Sequence, residues 1–350
     1  MKKNKKPLRI ALAGLGRIGW QQHARALVKH PDFRLVAACD MEADRRAEAE
    51  RELKCRAFAD YAEMVAQPGL DAVVIATPTH LHKPMALAAL RRGLHVILEK
   101  PMARDAREAA AIIREAKKRR RVLTVYQPAR LGAEFQHVRR IIATGKIGRI
   151  VHVQNGMFSH WRRNDWQALR KYGGGMLANY GAHAIDTTLQ LIGYDIQRIF
   201  CHRQIVASLG NAEDTVTLIL QTRRGILGDV EINQASTITP YHLIVWGTTG
   251  ALRSDGKEFS LRYYNPKKLP PIRLNKRLAS TGRKYYCEQI KFVEETVKVD
   301  RSLAVDVYAD FARAIRTGAA PFAKPEETLA VMRIMDKCRQ SDPVISDMRK

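Results

Sequence analysis

The chain is poor in cysteine and keeps its cysteines apart. It has 350 residues and five cysteines, Cys39, Cys55, Cys201, Cys287 and Cys338, with no C-x-x-C pair. Such spacing suggests neither a zinc ribbon nor a disulfide framework, and no metal site is expected. Separate thiols in or near a core, in a reducing cytoplasm, are the expectation. Long apolar runs are absent too: none approaches the ~18 residues that a membrane span needs. The start, MKKNKKPLRIALAGLGRIG, is basic and then apolar, as a signal peptide is. Its apolar run breaks at Gly14, with Arg17 soon after, so a short frayed tail and a first strand are expected instead. Acidic residues are scarce, 35 against 60 Lys and Arg, for a net charge of +25. That sign invites nucleic acid. The excess is spread along the whole chain, however. Its densest runs, Lys2 to Lys6 and Lys117 to Arg121, are a terminus and a helix end, where cations suit the dipole. Neither run interleaves aromatic residues as a stacking platform does. No specific nucleic-acid partner and no membrane partner are expected. There is also no internal repeat and no low-complexity linker.

What the chain does have is a globular composition, 46% hydrophobic and 27% charged, at a length that suits about two domains. "LRIALAGLGRIG" is an apolar strand running into Gly14, Gly16 and Gly19, with Arg17 and Ile18 between the last two. A helical stretch, Trp20 to His30, follows, and then a second apolar strand, "FRLVAACD", ending in Asp40. Asp40 lies 21 residues beyond Gly19. A dinucleotide site needs each of these parts. Gly14 allows the tight turn, Gly16 lets the pyrophosphate approach, and Gly19 lets helix and strand pack closely. The helix N-terminus offers free N–H groups to the pyrophosphate. Asp40 can accept from both ribose hydroxyls and would repel a 2′-phosphate, which favours NAD over NADP. Arg45 and Arg46 sit slightly too far along to overturn that.

The alternation continues. "LDAVVIATP" and "HVILEKP" are near-continuous apolar runs of the kind buried in parallel sheets, with helical periods over Lys83 to Arg92 and Ala103 to Arg121 and a further strand in "RVLTVYQP". Alternating β and α means an α/β fold with a doubly wound parallel sheet, whose ligands bind beyond the strand C-termini. Thr77, Pro78, Glu99, Lys100 and Gln127 fall there, and His82 is placed near the nicotinamide. The second half carries six strand-like runs between residues 148 and 265. Helical patterns follow near 285–298, 303–317 and 325–340, and an aperiodic stretch at 266–282 reads as a surface loop.

One more segment stands out: "GGGMLANYGAHAID", residues 173–186. Asn179, His183 and Asp186 are spaced four and three residues apart, which on an α-helix puts them on one face. Together with the glycine fingerprint, "ATPTHLH" at 76–82 and "EKP" at 99–101, it resembles the Gfo/Idh/MocA oxidoreductases, the glucose–fructose oxidoreductase and inositol dehydrogenase family. The resemblance covers most of the chain. It implies an N-terminal Rossmann domain, residues 1–127, that binds NAD. It implies a C-terminal α/β domain, residues 128–350, built on an open, largely antiparallel sheet for substrate binding and oligomerisation. A homodimer or homotetramer goes with that open sheet. The implied reaction is hydride transfer between nicotinamide and a sugar, polyol or related carbohydrate.

Such a reaction requires a group to take the hydroxyl proton and a group to stabilise the developing alkoxide. By resemblance Lys100 and His183 are the catalytic pair. A histidine titrating near neutrality suits the proton transfer. The family motif often has Asp where this chain has Asn179; an amide binds a hydroxyl but takes no proton. Asn179 is therefore a substrate-binding candidate. Asp186 either orients Lys100 or His183, contacts substrate, or supports the helix. Arg163 and Trp166, in "SHWRRNDWQALRKYGGG", suit a sugar through guanidinium and ring stacking. Asn155 and His152 are weaker substrate candidates. The alternative on the same scaffold is an NAD-dependent redox-elimination glycosidase. A third, non-enzymatic reading is an NAD-binding regulator, or a nucleic-acid binder using the +25 charge.

Overall fold

The structure, a computed structural model, describes residues 6–274, 276, 288–341 and 344. Lys2 to Lys5, Cys287 and most of 275–287 lie outside the described residues. Six parallel strands form the first sheet: β1 (Leu8–Ala13), β2 (Phe33–Cys39), β3 (Arg56–Phe58), β4 (Ala72–Ile75), β5 (His95–Leu98) and β6 (Leu123–Val125). Their order is β3-β2-β1-β4-β5-β6. Every residue of β4 is buried, because helices cover both faces. These are α1 (Arg25–Lys29), α2 (Ala43–Leu53), α3 (Tyr61–Val65), α4 (His82–Arg91) and α5 (Ala106–Arg119). The chain order reverses between β1 and β4. That crevice is where ligands of such sheets bind. The stretch expected as one helix from Trp20 is split: a π-helical turn, Gly19–Ala24, precedes α1.

Two short helices, α6 (Pro128–Leu131) and α7 (Ala133–Ala143), lead into an eight-stranded sheet. Its strands are β7 (Ile150–Phe158), β8 (Ile196–Gln204), β9 (Thr215–Thr222), β10 (Leu227–Asn233), β11 (Leu243–Gly247), β12 (Gly250–Ser254), β13 (Glu258–Tyr263) and β14 (Val293–Lys298). Among these described strands only β7 and β10 pair in parallel; the other pairs are antiparallel. Strict alternation of buried and less buried residues along β9 and β10 marks one packed face. Helix α8 (Ala182–Ile192), inserted between β7 and β8, lies on that face. The Asn155 amide on β7 donates to Ala184 O and Thr187 Oγ1 at 3.1 and 2.9 Å, pinning α8 down.

Two expectations change here. The helical pattern near 285–298 is not a helix where it is described: 293–298 is the edge strand β14, paired with β13. Val293 and Val297, four residues apart, share a face in a strand as well as in a helix, and the free edge of β13 decides. The division at residue 127 also differs from the spatial one. The chain returns through α9 (Val307–Thr317) and α10 (Pro325–Ser341). Phe311 of α9 stacks on Phe33 of β2, inside the core of the first sheet, and α10 packs on α5 as well as on α8.

Candidate active site

The glycine loop follows from steric limits. Gly14 has φ +90°, and a Cβ on it would lie 2.5 Å from Ala76 O. A Cβ on Gly19 would lie 1.8 Å from Gly14 O, whereas one on Gly16 would meet nothing within 4 Å. The outer glycines thus close the turn on itself and on β4, and the middle one leaves an open backbone face. That is the surface a pyrophosphate needs. Asp40, at the end of β2, accepts from Leu15 N at 2.8 Å and from Glu42 N at 3.0 Å. Arg45 is nearer than its sequence distance implies, because α2 turns it back: its Nη1 lies 3.4 Å from each Asp40 oxygen. Arg46 Nη1 donates to the carbonyls of Asp40 and Met41. These residues fit a nicotinamide dinucleotide, which when bound supplies the hydride acceptor or donor.

At the adjacent strand ends the expected residues divide. Thr77 and Pro78 remain partly or fully exposed beyond β4. Glu99 turns inward instead. Its Oε2 accepts from Lys100 N at 2.9 Å, and its Oε1 lies 2.9 Å from Nε2 of the fully buried His23. His23 Nδ1 in turn meets Tyr308 Oη of α9 at 2.7 Å. The Glu99 carboxylate therefore secures the Lys100 backbone from below rather than reaching toward a cofactor. His82 is likewise corrected: it is 1% exposed, with Nδ1 2.9 Å from Pro101 O and Nε2 2.9 Å from Thr77 O. It braces the two strand-end loops. Burial pushes its pKa down, while the facing carbonyls act in the opposite direction. Gln127 is fully buried, and neither amide atom has a hydrogen-bond partner.

Lys100 points across to the second unit. Its Nζ donates to Asn179 O at 3.1 Å and to Asn179 Oδ1 at 3.0 Å. Asn179 sits in a π-helical turn, Leu177–Gly181, that leads into α8, and its Nδ2 lies 3.4 Å from Gln167 Oε1. His183 occupies the first turn of α8. Its Nδ1 is buried and unbonded. Burial, reinforced by the Lys100 charge, pushes the His183 pKa down to about 3. The expectation of a histidine titrating near neutrality thus gives way to one that stays neutral. Burial also lowers the Lys100 pKa; Glu99 opposes this and Arg17 adds to it.

Asp186 does not join this group. It is 1% exposed, and both its oxygens accept from Arg130 of α6, through Nε at 2.8 Å and through Nη2. Arg130 also bonds Glu327 of α10. Asp186 is one helical turn too deep for the cleft, so it ties α8 to α6 and α10. Asn155 spends its amide N–H groups on α8, a packing role rather than substrate contact. Arg163 keeps Nε and Nη1 buried without a hydrogen-bond partner, and Trp166 is 47% exposed. Sequence reasoning missed Gln167, His23 and Arg130. Only Gln167 lay in a stretch already singled out, and for the other two no local pattern signals the partner.

Comparison with known proteins agrees with this geometry. Residues 8–127 match the model of the oxidoreductase family with an NAD-binding Rossmann fold, and residues 135–253 match the Gfo/Idh/MocA C-terminal domain. The chain belongs to the Gfo/Idh/MocA oxidoreductase family. It is 30% identical to scyllo-inositol 2-dehydrogenase (NAD(+)) of Bacillus subtilis over 70% of this chain and 73% of that one. It is 24% identical to the 2,7-anhydro-N-acetylneuraminate hydratase of Escherichia coli over 72% and 68% of the two chains. The fold is that of an NAD-binding protein from Listeria innocua, with a TM-score of 0.82, 22% identity and coverage of 96% and 97%. No helix among the described residues is long and apolar enough to cross a membrane, and the described residues hold no cluster of metal-ligating side chains. Cys39, Cys55 and Cys338 are buried free thiols, and Cys201 is buried beside Cys338.

Within this Gfo/Idh/MocA member, the low His183 pKa has a kinetic consequence. A group whose pKa is depressed from 6.5 to about 3 keeps its neutral form throughout the mildly acid range. The pH profile of kcat/KM for oxidation should show no acid-side loss centred near the ordinary histidine value. Its alkaline limb should fall below the ordinary lysine value, because the Lys100 pKa is lowered. An acid limb centred near 6.5 would sink this reading of His183.

Proposed function

We propose that this chain is an NAD-dependent dehydrogenase acting on a CH–OH group of a sugar, a polyol such as an inositol, or a sugar derivative. The observation that carries the reading is the contact of Lys100 with Asn179 at 3.0 Å, beside a neutral, unbonded His183 Nδ1. It joins the strand-end lysine of the nucleotide-binding sheet to the helix of the other sheet, at the crevice where a nicotinamide ring would lie. Each side chain then has a definable role. His183, neutral but a weak base, accepts the hydroxyl proton as departure of the hydride from carbon makes that proton strongly acidic. Lys100 presents its ammonium to the developing alkoxide, in a site from which burial has removed competing water. Asn179 holds that ammonium through two oxygens, and Gln167 steadies the amide. Glu99, backed by His23 and Tyr308, fixes the Lys100 backbone. Thr77, Pro78 and Gln127 border the cofactor, and Arg163 and Trp166 the substrate.

Asp40 supports NAD as the cofactor, since its carboxylate faces the ribose position and repels a 2′-phosphate. Arg45 and Arg46 stand beside it. Asp40→Ser should therefore reverse the choice, raising the ratio of NADP to NAD efficiency at least ~10-fold as the repulsion goes and the Arg45 guanidinium becomes free for phosphate. An unchanged ratio of kcat/KM values would remove Asp40 as the determinant.

The hydratase relative favours one second reading, a redox-elimination or hydration reaction in which the cofactor is regenerated. A screen of inositols, sugars, anhydro-sugars and glycosides, following NADH and product together, separates the two. Accumulating NADH supports the dehydrogenase; product without NADH supports the alternative. We also infer a homodimer or homotetramer that covers the open face of the second sheet. Phe200 and Ile219 are cross-strand partners there, 56% and 40% exposed. A monomeric mass by light scattering would refute it. A cytoplasmic location accords with the buried free thiols.

A further inference from the structure

The charges around Lys100 do not balance. Its ammonium has three donors, and two meet oxygens of Asn179, both neutral. Glu99, its sequence neighbour, gives both carboxylate oxygens to other partners, the Lys100 backbone N–H and His23. Among the described residues no carboxylate bonds to the Lys100 ammonium, to the Asn179 side chain or to His183. Arg17 is close enough to oppose the Lys100 charge. A partly buried ammonium bonded only to neutral oxygens, with the Glu99 charge acting on it without a direct bond, still favours an arriving anion.

A second cation with spare donors lies on the neighbouring segment. Arg163 is four residues before Gln167, the residue that touches Asn179, so it stands within ~14 Å of it along the chain. Two of its buried N–H groups are unbonded. Its nearest carboxylate, on Asp165, is 3.6 Å away, 52% exposed, and already caps Gln167 N. Unbonded guanidinium donors suit an anionic oxygen better than a neutral hydroxyl.

We infer that the substrate of this site is an anionic sugar or polyol, one that carries a carboxylate or a phosphate and so supplies the negative charge that the protein withholds by placing an amide at residue 179. The inference rests on the reading of Lys100, Asn179 and His183 as the substrate site, and it narrows the substrate class given above. It also accounts for the amide at residue 179. An aspartate there would neutralise Lys100 and repel an anion, whereas Asn179 holds the ammonium and leaves its charge unspent.

A binding measurement that needs no turnover tests this. The NADH-loaded protein is titrated calorimetrically with matched compounds: glucose, glucuronate and glucose 1-phosphate; galactose and galacturonate; myo-inositol and an inositol monophosphate. At least one anionic member should bind ~10-fold or more tightly than its neutral counterpart, and the preference should weaken as salt rises. The carboxylate and phosphate members show which anion is used. Asn179→Asp should cut the preference ~10-fold, and Arg163→Gln should reduce it further; unaltered NADH affinity shows that each variant is folded. Equal binding of neutral and anionic members overturns the inference, as does a preference unmoved by Asn179→Asp. An anionic ligand that binds selectively yet is never oxidised, reduced, hydrated or cleaved keeps the inference and refutes the enzymatic function instead.

Discussion

Replacing Lys100 with methionine should abolish turnover and leave the cofactor bound. The side chain ends in a group held 3.0 and 3.1 Å from two Asn179 oxygens, at the crevice between the two sheets. Methionine keeps most of the aliphatic stem, so packing survives while the charge is lost. Removing one positioned donor to a developing oxyanion costs ~10²–10³ in kcat. Lys100 supplies the cation nearest the proposed reacting oxygen, so the loss should be at the upper end of that range or beyond it. The glycine loop and Asp40 are untouched, and NADH affinity should change little. Steady-state kinetics together with a fluorescence titration of NADH check both halves. Retained turnover would sink the mechanism; lost NADH binding would show that the variant misfolds rather than lacks a catalytic group.

Arg130→Met should destabilise the fold more than any change at the cleft. Arg130 is 1% exposed and bonds Asp186 of α8 and Glu327 of α10. Burial pushes the Asp186 carboxyl up, and Arg130 holds it down. Without the guanidinium, a carboxylate is left in the core. Breaking a buried pair in this way costs ~3–5 kcal/mol, which for a chain of this size is on the order of 10 °C in Tm. Asp186→Asn combined with Arg130→Met should recover part of the loss, because the stranded charge goes with its partner. Thermal unfolding of the two single variants and the double variant measures it. A loss below ~1 kcal/mol would show that the pair is not structural.

Much of the first unit was legible because each signal is local. The turn at Gly14, the open backbone at Gly16 and the packing at Gly19 are steric consequences of a missing Cβ within six consecutive residues. Alternating apolar runs identified five of the parallel strands, since strands buried on both faces have little freedom in composition. Lys100 and His183 were named as candidates by motif, and the fold brings them near one another. What failed was reasoning by helical spacing. Asn179, His183 and Asp186 share a period, but a π-turn over Leu177–Gly181 leads into α8, and depth then separates them. Two reach Lys100 or its surroundings, and the third meets Arg130. Glu99 was placed at a strand end and His82 near the nicotinamide, and both side chains turn inward instead, because a side chain's direction depends on the carbonyls and rings packed around it. The edge strand β14 was read as helix because valines four residues apart, at 293 and 297, satisfy both periods until a partner strand is present.

The sequence by itself determined the class of fold, the dinucleotide loop and the acid at the end of β2, and it named Lys100 and His183 as candidates for the proton chemistry. Those features rest on backbone sterics and on short-range periodicity, which act over a few residues. The tertiary structure decided which charges meet. It brought Arg45 back to Asp40, set His23 and Tyr308 behind Glu99, turned Asp186 to Arg130, and left Lys100 facing an amide with no carboxylate to match. Electrostatic partners are chosen through space, across 285 residues in the case of His23 and Tyr308. No local pattern records them.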